Sequence, residues 1–347
     1  MKYRYLGGSG LLVSRLSLGT MTFGTPGWGC DEATAHRIMK AYVDGGGNLL
    51  DTADVYAAGE SERVIGSFLP QIRRDEILIA TKSFFPMGGF PNAFGASRAH
   101  LVASCEASLR RLKTDYIDLY YLHGPDPVTP LEESLRALDD LTRQGKIRYV
   151  GVSNFFGWQV AKAAGIAACR DYGALAAGQF LYNLIHREPE REIVPALVDS
   201  RMGLFCYSPL GAGLLAGSYR GMKDPAEGSR LAARMKVDGA RFWHPRGFAA
   251  AESVAHVAAE SGIPMSRLAI GWPLGRTFVT SVIIGVKDAA QLADNIAIGD
   301  WDVPQEVWSA LEKATRPEEE YLTWFNKVNY ARSFGAAEHH DAARELP

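Results

Sequence analysis

Asn48-Leu49-Leu50-Asp51-Thr52-Ala53-Asp54-Val55-Tyr56 carries a short apolar run into a carboxylate and, five residues further, a tyrosine. Two later runs end in a similar way: Ile77–Ala80 leads through Thr81 to Lys82, and Ile117–Leu122 leads to His123. An Asp, a Tyr, a Lys and a His therefore leave the ends of three successive strand candidates. In a closed parallel barrel such ends converge on one mouth, where active sites are built. In an open doubly wound sheet only the ends beside a switch point converge.

The rest of the chain repeats the pattern. Further strand candidates are Leu16–Gly19, Ile147–Val152, Ala176–Phe180, Leu204–Tyr207 and Ser281–Ile284. They are continuously apolar rather than alternating, as strands covered on both faces of a parallel sheet are. Helical stretches lie between them. Asp31 is placed to cap a helix through Val43, and Ser97 to cap Arg98–Leu112. Pro130 opens a stretch through Arg143, and Gly157–Arg170, Pro189–Ser200, Gly247–Ser261 and Ala289–Ile298 follow. Eight strands with helices between them predict an α/β fold, either a barrel or an open sheet. Ahead of them, Tyr3–Val13 with Gly7-Gly8-Ser9-Gly10 at its centre reads as a hairpin. Phe84–Ser97 and Gly211–Arg246 follow strand candidates and read as long binding loops.

Composition removes several functions. The 347 residues carry a formal charge of −2, which gives no reason to expect nucleic-acid or acidic-membrane partners. Hydrophobic residues at 47% and charged residues at 22% exclude a mostly disordered chain. No apolar run approaches the length of a membrane span, and Met1–Gly10 has no apolar core of a secretory signal. Cys30, Cys105, Cys169 and Cys206 are widely spaced and read as small buried hydrophobes of a reducing, cytoplasmic compartment. No metal site is expected, because His123 has no second ligand at metal spacing and His339-His340 is a bare pair in a polar tail.

The four strand-end groups form one chemical unit. A tyrosine's reference pKa is about 10, too high for easy proton transfer at neutral pH. A neighbouring ammonium favours the ionised phenol, and a buried ammonium needs a counter-charge, which an Asp supplies. A neutral His can hydrogen-bond a carbonyl oxygen and fix its position. Tyr as acid, Lys as its electrostatic partner, Asp as anchor and His as orienter would suit carbonyl reduction.

Beyond these four, Gly-Thr-Met-Thr-Phe-Gly (19–24), Gly-Val-Ser-Asn-Phe (151–155), Tyr-Ser-Pro-Leu-Gly-Ala-Gly (207–213) and Gly-Val-Lys-Asp-Ala-Ala-Gln-Leu-Ala-Asp-Asn (285–295) recur in order. With these motifs the sequence resembles the aldo-keto reductases. The resemblance implies a (β/α)₈ TIM barrel with the hairpin as an N-terminal cap and an extra C-terminal helix and tail. It implies one barrel domain over 1–330 and a polar tail over 331–347. It maps a catalytic tetrad to Asp51, Tyr56, Lys82 and His123, and a small-molecule aldehyde, ketone or alcohol as substrate. The implied cofactor is a nicotinamide dinucleotide, NADP(H) in preference to NAD(H).

By the same resemblance, Gly19, Thr20, Met21 and Asp51 are cofactor-binding residues, Ser153, Asn154 and Gln179 hold the nicotinamide carboxamide, and Tyr207 stacks on its ring. Ser208, Leu210, Gly211 and Gly213 face the pyrophosphate, and Gly285, Lys287, Gln291 and Asn295 the adenosine end. Gln291 and Asn295 lie four apart on one helix and should share a face. Lys287 would meet a ribose 2′-phosphate, which an inward-facing Asp288 would repel. Phe23, Trp28, Phe84, Phe85, Phe90, Phe242 and Trp243 are candidate pocket walls. The rival reading is a cofactor-binding regulatory subunit, like the potassium-channel beta subunits, with little turnover.

Overall fold

The computed structural model describes residues 1–219, 221, 225, 227 and 229–334. The chain opens with an antiparallel hairpin, β1 (Tyr3–Tyr5) against β2 (Leu12–Ser14). Eight parallel strands then close on one another. They are β3 (Leu16–Gly19), β4 (Leu49–Asp51), β5 (Leu78–Ser83), β6 (Ile117–Leu122), β7 (Ile147–Ser153), β8 (Leu175–Leu181), β9 (Gly203–Tyr207) and β10 (Val279–Gly285). Closure comes from β10 pairing with β3, Val282 opposite Leu16 through Gly285 opposite Gly19. The open-sheet alternative is thereby excluded, and the architecture is a (β/α)₈ barrel.

Six helices alternate with the first strands: α1 (Glu32–Asp44), α2 (Glu60–Phe68), α3 (Arg98–Leu112), α4 (Leu131–Arg143), α5 (Gly157–Cys169) and α6 (Ile193–Asp199). The long connection after β9 holds α7 (Arg230–Ala233), α8 (Ala240–Phe242), α9 (Pro245–Ser261) and α10 (Met265–Leu274). After β10 come α11 (Ala289–Ile296), α12 (Gln305–Ala314) and α13 (Tyr321–Phe334). Helix α13 runs across the boundary drawn at 330, and the rest of the expected tail, with His339 and His340, lies outside the described residues.

Local chemistry explains several boundaries. Asp31 Oδ1 accepts from Thr34 N at 2.8 Å and starts α1. Ser97 Oγ accepts from His100 N at 3.3 Å and starts α3. Pro130 stands at the N-cap of α4, one position earlier than a first-turn proline. The expected helix Pro189–Ser200 divides into a 3₁₀ turn, Glu188–Glu190, and α6. Helices α2, α7, α8 and α10 have no counterpart among the sequence-based helical stretches, whereas α12 and α13 answer to the extra C-terminal helix that the resemblance implies. Helix α10 carries Gly271 and Pro273, which read as breakers, and Leu268–Leu274 is buried all round. Such a helix has no apolar stripe to detect. Cys105 and Cys206 are buried as expected, but Cys169 is exposed at the end of α5.

Two apolar cores follow from strand geometry. The larger packs the outer strand faces on the helices, with Leu50, Ile79, Leu122, Val152 and Leu204 among its members. The smaller fills the barrel with Leu49, Ala80, Leu119, Ala177, Phe205 and Ile283, and with Leu6 and Val13 from the hairpin segment. Side chains alternate along a strand. Two residues after Leu49, Ala80, Ala177 and Phe205, the inward positions are therefore Asp51, Lys82, Gln179 and Tyr207. The hairpin plugs one end of the barrel while a polar layer faces the other.

Gly66 packs α2 against the end of α3: a Cβ there would lie 2.3 Å from Arg111 O. Gly66→Ala gains about 1 kcal/mol of helix propensity, but overpacking against a backbone carbonyl costs about 1–3 kcal/mol. A lower urea midpoint at unchanged m-value is expected.

Among the described residues, no helix is long and apolar enough to cross a membrane, and no group of three His, Cys, Asp or Glu could hold a metal ion.

Candidate active site

The polar layer brings the four strand-end residues together. Lys82 is fully buried, and its Nζ donates to Asp51 Oδ1 and to Thr52 O, each at 2.6 Å. Gln179 Nε2 donates to Asp51 Oδ2 at 2.7 Å. Both carboxylate oxygens thus face N–H donors, which favours the ammonium–carboxylate form of the pair. Burial alone pushes the Lys82 ammonium down. The Asp51 carboxylate and the Tyr56 hydroxyl outweigh it and hold Lys82 above its ordinary value. Lys82 Nζ lies 5.1 Å from the Tyr56 ring centroid, and the Tyr56 and His123 rings meet edge to face at 6.0 Å.

His123 is held well below its ordinary pKa, first by burial and then by the Lys82 and Arg241 charges. It is a neutral imidazole at neutral pH. Its Nδ1 is buried without a hydrogen-bond partner among the described residues.

Beside the tetrad, the ends of β6, β7 and β9 are tied together. Asn154, at φ +60, donates from Nδ2 to His123 O at 3.0 Å and to Ser153 Oγ at 3.1 Å. Its Oδ1 accepts from Tyr207 OH at 2.8 Å, and Ser153 Oγ donates to Gln179 O at 2.9 Å. The structure therefore brings Ser153, Asn154, Gln179 and Tyr207 into one array against Asp51. Thr20 is fully buried, with Oγ1 donating to Asp51 O at 3.0 Å, so it braces the Asp51 turn. Gly19 is buried beside it, and Met21 is half-buried.

The loop after β9 contains Ser208 (φ +55), Gly211 (φ +53), Ala212 (φ +55) and Gly213 (φ +101), with Leu210 half-buried among them. Gly211 N and Gly213 N donate to Ser208 O and Leu210 O at 3.0 and 2.9 Å, so these two N–H groups close the turn itself. Past the exposed Gly285, Lys287 and Asp288 line a cavity of about 490 Å³ with Asp31, Thr34 and Arg37 of the opposite segment. Asp288 does not project freely: its Oδ1 accepts from Gln291 N at 2.9 Å and caps α11. Gln291 Oε1 in turn accepts from Lys287 N at 3.2 Å. Gln291 is exposed while Asn295 is buried, so the two differ in access despite their spacing. Amide-pairing groups, an aromatic ring, a glycine-rich left-handed turn and two cations lie in sequence around the mouth, which fits a nicotinamide dinucleotide.

A family model described as "Aldo/keto reductase family" matches residues 15–316. The chain belongs to the aldo/keto reductase family. It is an oxidoreductase of a family that generally uses NAD(P)H on small-molecule carbonyls. An "Uncharacterized oxidoreductase" of Bacillus subtilis is 36% identical over 88% of this chain and 94% of its own. A "Probable voltage-gated potassium channel subunit beta" of Arabidopsis thaliana is 35% identical over 86% and 92%. An aldo-keto reductase of Alternaria alternata is 34% identical over 91% and 93%.

In this aldo/keto reductase the candidate wall aromatics divide. Phe23 and Phe242 are fully buried core residues. Phe85 meets His123 edge to face at 4.9 Å and Phe84 at 5.3 Å. Trp28 lies under Arg230 and Arg234, Trp243 packs on Tyr219 and Phe248, and Phe90 is exposed.

Two functional candidates escaped the sequence reading. Arg241 is one, since nothing local announces its reach to the mouth. Asp54 is the other, although it stood in the decisive stretch. It is fully buried, its Oδ2 accepts from Ser104 Oγ at 2.7 Å, and its N donates to Lys82 O at 3.1 Å. Burial pushes the Asp54 carboxyl up to about 6, helped by Glu62 and opposed by Ser104 and Arg111. A carboxyl raised from its ordinary value contributes full stability below about pH 4 and loses it as pH rises through about 6. The stability of the wild type relative to Asp54→Asn is expected to fall by roughly 2–3 kcal/mol between pH 4 and 7.5. Urea unfolding of both proteins at several pH values checks it.

Proposed function

We propose that this chain is an NAD(P)H-dependent carbonyl reductase, reversible toward alcohol oxidation, with Tyr56 as the general acid. The observation that carries the reading is the convergence of Tyr56 and His123 on a fully buried Lys82–Asp51 pair at the barrel mouth. The nicotinamide, when bound, supplies the hydride. Ser153, Asn154 and Gln179 would hold its carboxamide, and Tyr207 its ring. The loop Ser208–Gly213 would hold the pyrophosphate, and Gly285, Lys287, Gln291 and Asn295 the adenosine end.

His123, kept neutral, donates a hydrogen bond to the substrate carbonyl oxygen and fixes its direction. Tyr56 passes its proton to that oxygen. The Lys82 ammonium stabilises the negative charge that Tyr56 then carries, and Asp51 holds the ammonium in place. The same groups in reverse make Tyr56 the base for alcohol oxidation. A cytoplasmic location accords with this reading.

NADP(H) is the preferred coenzyme in this proposal, on the strength of Lys287 and Arg37 lining one cavity and of Asp288 being engaged at the α11 N-terminus. KM for NADPH is expected to lie well below KM for NADH, and Lys287→Ala should raise the first selectively. A clear NADH preference refutes the coenzyme choice. The deciding experiment for the reaction is steady-state NADPH consumption with a panel of aldehydes and ketones.

The Arabidopsis relative favours a second reading, a coenzyme-binding subunit that serves a protein partner. Tight coenzyme binding without turnover on any carbonyl, together with a co-purifying partner, would select it.

A further inference from the structure

The loop over the mouth carries more positive than negative charge at one point. Asp238 is fully buried, and its Oδ2 accepts from Arg230 Nε at 2.9 Å and Arg234 Nε at 3.2 Å. Arg241 Nη1 reaches the same carboxylate only loosely, 3.7 Å from Oδ1, an oxygen without a hydrogen-bond partner among the described residues. Three guanidinium groups thus gather on one carboxylate, and Arg241 is the one it holds least. Arg230 and Arg234 are further placed over the Trp28 ring, at 5.7 and 5.8 Å.

The backbone of Arg241, by contrast, is pinned. Its carbonyl accepts from His186 Nε2 at 2.7 Å and His244 Nε2 at 2.9 Å. The guanidinium stands over the Tyr207 ring, 6.0 Å from its centroid, with the side chain 38% exposed. Its charge reaches both sides of the mouth: it acts on Tyr207, which also feels Tyr56, and on His123. Across the mouth, Phe85 packs on His123. A fixed backbone, a weakly engaged cation and an aromatic wall around the proton donor are the parts of a recognition site for an acid.

We propose that Arg241 recognises a carboxylate on the substrate, so that the preferred substrates are aldehydes or ketones bearing an acidic group, ring-bearing ones included. The inference rests on the carbonyl-reduction reading above. Arg241 is a binding residue here, with no part in proton transfer.

The test compares 4-formylbenzoate with its methyl ester, which keeps the ring and the aldehyde but removes the charge. With NADPH, the wild type is expected to favour the acid at least 10-fold in kcat/KM, mainly through KM. Loss of a charge-assisted contact predicts a fall of about 10–100-fold in the acid-to-ester ratio for Arg241→Met, with partial recovery in Arg241→Lys. Equal use of acid and ester by the wild type overturns the inference while leaving carbonyl reduction standing. So does an Arg241→Met protein, folded by circular dichroism, that keeps the wild-type ratio. Weaker NADPH binding in place of weaker acid recognition assigns Arg241 to the coenzyme and also overturns it. Should neither aldehyde be reduced, the wider panel of aldehydes and ketones decides the reduction reading. Calorimetry of 4-(hydroxymethyl)benzoate on the NADP⁺-loaded protein then decides the anion site. Binding that Arg241→Met removes sustains the site, and absence of binding refutes it.

Discussion

Tyr56→Phe is expected to lower kcat for carbonyl reduction by at least about 10²–10⁴-fold, the usual worth of a positioned general acid, with coenzyme affinity nearly unchanged. The substitution removes one hydroxyl and keeps the ring, so the edge-to-face contact with His123 and the approach of Lys82 to the ring survive. Lys82 also keeps its hydrogen bonds to Asp51 Oδ1 and Thr52 O, so its burial remains compensated. What the proposed mechanism loses is the proton that meets the developing alkoxide. Coenzyme titration by fluorescence, beside single-turnover rates with an aldehyde in excess, separates the two effects. Turnover near wild type in the variant would remove Tyr56 from the mechanism.

Asp51→Asn is expected to destabilise the protein by about 3–5 kcal/mol, because it leaves the buried Lys82 ammonium without its counter-charge. Neither group can turn to water: Lys82 is 0% exposed and Asp51 3% exposed. Their surroundings are the apolar barrel interior below and the tied strand ends above. Gln179 would also lose the carboxylate that accepts its Nε2. The double variant Asp51→Asn/Lys82→Met removes both charges and should recover much of the stability, since a buried pair replaced by apolar groups is often neutral or better. It should not recover turnover. Urea unfolding of the wild type, both single variants and the double variant gives the coupling directly. A single Asp51→Asn as stable as the wild type would show that the pair is not a desolvated ion pair.

The hydrophobic runs, the caps at Asp31 and Ser97 and the tetrad at the strand ends were all legible in the sequence. Each rests on a pattern within a few residues. The continuous apolar runs marked strands covered on both faces. They concealed the alternation inside the barrel, where apolar Leu49, Ala80, Ala177 and Phe205 each precede a polar inward residue by two positions. Helix α10 stayed hidden for a related reason: buried on every side, it shows no stripe.

The sequence by itself determined which side chains leave which strand, because a strand's direction and its period of two are local properties of the backbone. Local patterns did not choose a closed barrel over an open sheet; there the motifs supplied the choice by resemblance, and the pairing of β10 with β3 is the physical event that makes it. Only the tertiary structure placed Gln179 on Asp51, 128 residues away, or brought Arg241 from the long loop over Tyr207. Those contacts depend on register and on packing between distant segments, and no short window of sequence contains both partners.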